Sequence, residues 1–203
     1  MDLPVTIKTK SLIIPALNIN IMYPEVTELY NPAIQMYINV KIVETLNRML
    51  LDLGYHDPNL KEMQGYYEIK TNERRILSLS LIVYSYTGGA HGLTLIKSLT
   101  FNADTGKMYM LYELFKPDAP FVGRLSAIIS QKIGEWKIPL IGDFTSIRRD
   151  QDFYLADHSL VIYFQQYEIS PYVAGFPYFP IPIWDIQDLI AETGPLNTLL
   201  PFT

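Results

Sequence analysis

From Tyr66 onward the sequence takes up a period of two, and that period limits the fold more than any other feature. Tyr67, Ile69 and Thr71 alternate with Glu68 and Lys70, and Asn72-Glu73 offers a turn. Leu77, Leu79, Leu81 and Val83 then share one face, with Ser78 and Ser80 on the other. After the stretch YTGGAHG, Tyr86 to Gly92, the residues Leu93, Leu95, Leu99 and Phe101 alternate with Thr94, Ser98 and Thr100. Asp104-Thr105-Gly106 reads as a hairpin turn into a further strand from Lys107 to Leu111. Connections this short leave no room for parallel crossovers, so the run is predicted to be an antiparallel meander.

The flanking segments supply helices. Val5 to Tyr23 is rich in Ile, Leu and Val and is split by Pro15, which predicts two strands or one broken edge strand. A helix follows, with Asn31 as cap, Pro32 in its first turn and Gly54 closing it. Its polar stripe is Lys41, Glu44, Thr45, Arg48 and Asp52, opposite Ile38, Ile42, Leu46, Met49 and Leu53. A second helix is predicted from about Asp118-Pro120, with Phe121, Leu125, Ile128, Ile129, Ile133 and Trp136 on its apolar face. Phe153–Leu155 and Leu160–Phe164 read as strands around a turn at Ala156–Ser159, and Asp185–Ile190 as a short amphipathic piece. Helices set against antiparallel strands indicate an α+β fold. A composition shift at Gly54–Gln64 suggests an N-terminal strand-helix part, residues 1–60. A C-terminal sheet part, residues 61–203, is expected to share an interface with it.

Composition removes several classes of function. The net charge is −5, and the basic residues gather only as Arg74-Arg75 and Arg148-Arg149. A phosphate-backbone binder needs a concentrated basic surface, so no nucleic-acid partner is expected. There is no cysteine, hence no disulfide, thiolate nucleophile or cysteine zinc site. No apolar window approaches a membrane span. Met1-Asp2-Leu3-Pro4 is not a basic leader; a cytoplasmic location is expected if Met1 is the natural start, an extracytoplasmic one if an upstream anchor or signal has been removed.

YTGGAHG invites a phosphate-loop reading, but no Lys-Ser/Thr follows and the next element is a strand. His91 is one of three histidines, none in a metal-ligand spacing, so no metal or cofactor is expected. As an acid or base in a hydrolase it would need carboxylates that no spacing identifies. The glycines instead suit the positive φ angles of a hairpin loop. The tail YEISPYVAGFPYFPIP offers another candidate: Tyr167, Tyr172, Phe176 and Tyr178 stand among Pro171 and Pro177. Aromatics on a proline-stiffened loop lose little entropy on binding. In small domains they more often pack, and the packing reading is favoured here. If the chain has a contact surface, this loop is the candidate, with Gly89 and His91 as possible support.

Taken together, YTGGAHG, FNADTGKMYMLYELF and DFYLADHSLVIYFQQYEISPYVAGFPYFPIP resemble one bacterial family. It is the pair of uncharacterised domains forming the outer part of RsiV-type anti-sigma factors, which also accompanies the catalytic domain of PdaC-type peptidoglycan deacetylases. IMYPEVTEL and the capped helix resemble its N-terminal half. The resemblance implies an α+β unit that usually sits outside the cytoplasmic membrane. In the anti-sigma branch it is a receptor for lysozyme; in the deacetylase branch the chemistry belongs to a separate metal-dependent domain. This sequence contains neither a sigma-binding segment nor a deacetylase's metal-ligand motifs. The implied role is therefore a non-catalytic binding or sensor module, with a protein such as a muramidase, or a cell-wall glycan, as partner. The alternatives are a hydrolase using His91 and a cytoplasmic structural protein reusing the fold.

Overall fold

Asn31 opens the first helix by the mechanism its side chain predicts. In the computed structural model, which describes residues 5–200, Asn31 Oδ1 accepts the N–H groups of Ala33 and Ile34 at 3.0 and 3.4 Å. Met1–Pro4, weighed above as a leader, lies outside the described residues. Helix α1 spans Pro32–Asp52 and buries Ile38, Ile42, Leu46, Met49 and Leu50. Leu53 caps it, and Gly54 turns the chain away at φ +80°.

That apolar face lies on a five-stranded sheet of order β1-β2-β3-β4-β5. Its strands are β1 (Thr6–Ile14), β2 (Ile19–Thr27), β3 (Glu62–Glu73), β4 (Ile76–Tyr86) and β5 (Leu93–Asn102). Pro15 does split the N-terminal segment into two strands: β1 and β2 pair antiparallel about a short 3-10 turn, Pro15–Leu17. Leu77, Leu79, Leu81 and Val83 join α1 in one core with Ile19, Ile21, Met63 and Phe101. The period of two thus places every second residue of β4 under the helix.

Two local expectations are corrected. The β3–β4 turn lies at Arg74-Arg75, both at positive φ, and not at Asn72-Glu73. Asn72 is committed elsewhere: its amide accepts the Val5 N–H at 2.7 Å and donates to the Val5 carbonyl at 2.8 Å. The meander from β3 through β5 is antiparallel as its spacing predicts, while β2 and β3 pair parallel over Ile19–Ile21 and Met63–Gly65. α1 is the crossover that makes this possible. Lys107–Leu111 forms no strand; after one bridge between Phe101 and Met108 the chain enters a 3-10 turn, Leu111–Leu114.

The chain divides into two compact units, the first ending at Met108 and the second starting at Tyr109. Strand β3, which follows the boundary expected near residue 60, continues the sheet that β1 and β2 begin. The second unit holds α2 (Phe121–Trp136), a sheet of order β6-β7-β8 and a short helix α3 (Pro195–Thr198). Its strands are β6 (Phe153–Ala156), β7 (Ser159–Tyr163) and β8 (Tyr178–Pro182). Phe121, Leu125, Ile129 and Ile133 are the buried apolar side of α2, while Trp136 is half exposed and stacks on Phe179 with ring centroids 5.8 Å apart. Ser126 Oγ donates to the Val122 carbonyl and accepts the Ile147 N–H, tying the irregular segment after α2 back to the helix. Strand β8 lies in the stretch read above only as an aromatic, proline-rich tail. Its prolines are tolerated because it is an edge strand.

Candidate functional site

The aromatic segment begins where β7 ends, and an acidic side chain holds its base. Glu168 Oε2 accepts the Gln165 N–H at 2.7 Å, and Oε1 accepts from Gln151 Nε2 at 3.0 Å and from the Arg148 guanidinium. Gln151 is almost fully buried and also donates to the Tyr163 carbonyl at 3.1 Å. Partial burial works against the Arg148 charge, but the hydrogen bond and charge of Glu168 outweigh it and raise the guanidinium pKa above its ordinary value. Above this anchor Tyr167 takes a positive φ of 65°, and its ring lies 5.9 Å from that of Tyr172. A 3-10 turn, Tyr172–Ala174, follows Pro171 and closes at Gly175, φ +69°.

Burial divides this segment in two. Phe164, Pro177 and Phe179 face inward, with Phe164 edge-on to both Phe144 and Phe179. Tyr167 (48% exposed), Val173 (89%) and Tyr178 (36%) face outward, and Pro171, Tyr172 and Phe176 are intermediate. Tyr178 sits opposite Tyr163 in the β7–β8 register, its ring 5.7 Å from Tyr163, 6.2 Å from Tyr154 and 6.5 Å from Phe176. The structure therefore gathers the five tail residues into one segment with two ring groups, Tyr167–Tyr172 and Phe176–Tyr178.

Gly89 and His91 belong to the first unit, in the β4–β5 hairpin loop. Gly88 and Gly89 take φ of +109° and +101°, and the Tyr86 hydroxyl donates to the Gly89 carbonyl at 2.9 Å. His91 is exposed, its Nδ1 2.9 Å from the Gly92 carbonyl. It borders a hollow that Asp52 and Asp57 also line, carboxylates that no sequence spacing had pointed to. Ser85, in the same wall, has no hydrogen-bond partner for its hydroxyl, so it and His91 do not form the nucleophile–base pair that serine hydrolysis requires. Among the described residues no three His, Asp or Glu side chains converge as metal ligands. Nor is any helix there long and apolar enough to cross a membrane. The basic pairs serve local structure: Arg75 pairs with Asp104 at 2.6 Å, and Arg149 lies over the rings of Phe121 and Tyr112.

These features define an α+β protein of two units, with an anchored aromatic loop on the second. Solved structures share the architecture. A DUF3298 family protein from Pseudomonas aeruginosa PAO1 aligns with a TM-score of 0.70 over 100% of this chain and 99% of its own, at 15% identity. A DUF3298 family member from Bacteroides fragilis aligns at 0.67 over 93% and 95%, also at 15% identity. Residues 14–94 match the family described as Deacetylase PdaC, and residues 112–183 match the Protein of unknown function DUF3298. The chain thus carries the paired domains that its motifs resemble, one match within each unit. The anti-sigma-V factor RsiV of Bacillus subtilis is 27% identical over 195 residues, covering 85% of this chain and 65% of the relative. The peptidoglycan-N-acetylmuramic acid deacetylase PdaC of the same organism is 25% identical over 146 residues, covering 68% and 31%. The chain spans less than two thirds of either relative's length.

Proposed function

We propose that this chain is a non-catalytic binding or sensor module, with the outward side of the Tyr167–Tyr178 segment as its contact surface. The observation that carries the reading is the exposure of Tyr167, Val173 and Tyr178 on a loop whose base is locked by Glu168. Rigid tyrosines offer large contact area with little entropy to lose, as at the hot spots of protein interfaces. The names of its relatives, an anti-sigma factor and a peptidoglycan deacetylase, support a partner at the cell envelope: a protein such as a muramidase, or a cell-wall glycan.

The test is retention of the chain on immobilised c-type lysozyme and, separately, on purified peptidoglycan. The Tyr172→Ala/Tyr178→Ala double variant should bind at least tenfold more weakly, which corresponds to about 1.4 kcal/mol or more, while keeping a native circular dichroism spectrum at the assay temperature. Unchanged retention on both supports, or failure of the parent chain to bind either, overturns the assignment.

A further inference from the structure

The hollow beside His91 belongs to the first unit, and its wall contains a polar group with nothing to bind. Ser85 follows Leu81 and Val83 at two-residue spacing on β4, so its side chain lies on the α1 side of the sheet. It is 4% exposed, and its Oγ has no hydrogen-bond partner. Buried hydroxyls are seldom left so, and each one that is calls for an explanation. Here Ser85 borders a hollow of about 320 Å3 where the C-terminal end of α1 meets the end of β4.

The hollow is acidic from three directions. Asp52 stands in the last turn of α1, and Asp57 returns to the same place through the turn after Gly54. A Cβ on Gly54 would lie 3.3 Å from Asp57 Cβ and 3.7 Å from Thr87 Cγ2, which measures how tightly these residues converge. The third source is the helix itself: its C-terminal carbonyls carry partial negative charge, and no basic residue stands in its last turn. Arg48 pairs with Asp52 at 3.2 Å, but both side chains lie largely in solvent, where such a pair neutralises little. Among the described residues no third carboxylate or imidazole joins Asp52 and Asp57 in a group that could hold a metal ion. They suit a larger cation that spreads its hydrogen bonds among separated acceptors.

We propose that this hollow binds a primary ammonium group, whose three N–H donors are met by Asp57, the Ser85 hydroxyl and the acceptors at the end of α1. Two carriers have that chemistry, an amino sugar and a lysine side chain. Gly92 keeps the site in shape: a Cβ there would lie 2.4 Å from the Ser85 carbonyl oxygen and 2.3 Å from the Tyr84 ring. The unpartnered hydroxyl then has a reason, since a serine that only filled space would be bettered by alanine.

The experiment is a titration of the full chain followed by amide NMR shifts at Gly54, Asp57, Ser85 and Gly92. The probes are glucosamine and Nα-acetyl-lysine amide, each against its neutral N-acetylated counterpart. Saturable shifts are expected at these amides, with the neutral counterparts at least about tenfold weaker. The tighter of the two charged probes identifies the carrier. Asp57→Asn should weaken binding about tenfold. Ser85→Ala removes only an unpartnered group, so it should keep a native spectrum and an equal or higher unfolding midpoint, yet bind at least about threefold more weakly. Equal shifts from charged and neutral probes, no shifts from either charged probe, or undiminished binding by Ser85→Ala would each overturn the proposal.

Discussion

The anchor under the aromatic loop allows a quantitative test by replacing Glu168 with alanine. Three donors lose their acceptor: the Gln165 N–H, the Gln151 side-chain amide and the Arg148 guanidinium. Net contributions of hydrogen bonds to charged groups run to about 1.5–3 kcal/mol each when buried. Here they are discounted, since Gln151 keeps the Tyr163 carbonyl and Arg148, half exposed, keeps Asp150 at 3.6 Å. The Arg148 share falls to about 0.5 kcal/mol, and the expected total is about 2–3 kcal/mol. Trp136 and Trp184, the only tryptophans, both lie in the second unit, so their fluorescence reports on the unit that holds the anchor. With a urea m-value of about 1 kcal/mol/M for a unit of this size, the midpoint should fall by about 2–3 M. Arg148→Ala should move it by about 0.5 M. If Glu168→Ala lowered the midpoint no further than Arg148→Ala, the carboxylate would not be the anchor described.

Other substitutions probe separate parts of the chain. Gly92→Ala forces a Cβ into the Tyr84 ring and the Ser85 carbonyl and should cost about 2–4 kcal/mol by circular dichroism unfolding. Gly123→Ala, in α2 with nothing within 4 Å of its Cβ position, should instead stabilise by about 0.5–1 kcal/mol. Asn31→Ala removes the cap of α1 and should cost about 1 kcal/mol, with faster amide exchange at Ala33 and Ile34. Ser170→Ala replaces a fully buried hydroxyl without a hydrogen-bond partner and should raise the tryptophan-detected midpoint by about 1 M or less.

What could be read in the sequence was whatever depends on neighbours along the chain. The α1 face of Ile38, Ile42, Leu46 and Met49 and the Asn31 cap are local patterns, and they appear as the spacing demands. The alternation of β4 likewise places Leu77 to Val83 in the core. Local propensity misled where a distant partner claimed a residue. Asn72 looked like a turn residue but clamps Val5, leaving the turn to two arginines in an unfavoured conformation. Lys107–Leu111 has the alternation of a strand but only one bridge to extend it. The role of Glu168 was hidden because its partners Arg148 and Gln151 come from another loop. The hollow at Ser85 was hidden for the same reason, since it exists only where the end of α1 meets the end of β4.

Strand β8 has a consequence for how such molecules behave when crowded together. Pro180 and Pro182 are two residues apart, so their missing N–H groups fall on one edge of the strand. The other edge is engaged with β7 from Ser159 to Tyr163. The outward edge therefore lacks donors at two of its three positions, keeping only the Tyr178 N–H, and is a poor template for an incoming strand from a second molecule. An aromatic-rich segment of this kind would otherwise be a starting point for edge-to-edge aggregation. Its prolines let the tyrosines stand exposed at high local concentration without recruiting copies of the same chain.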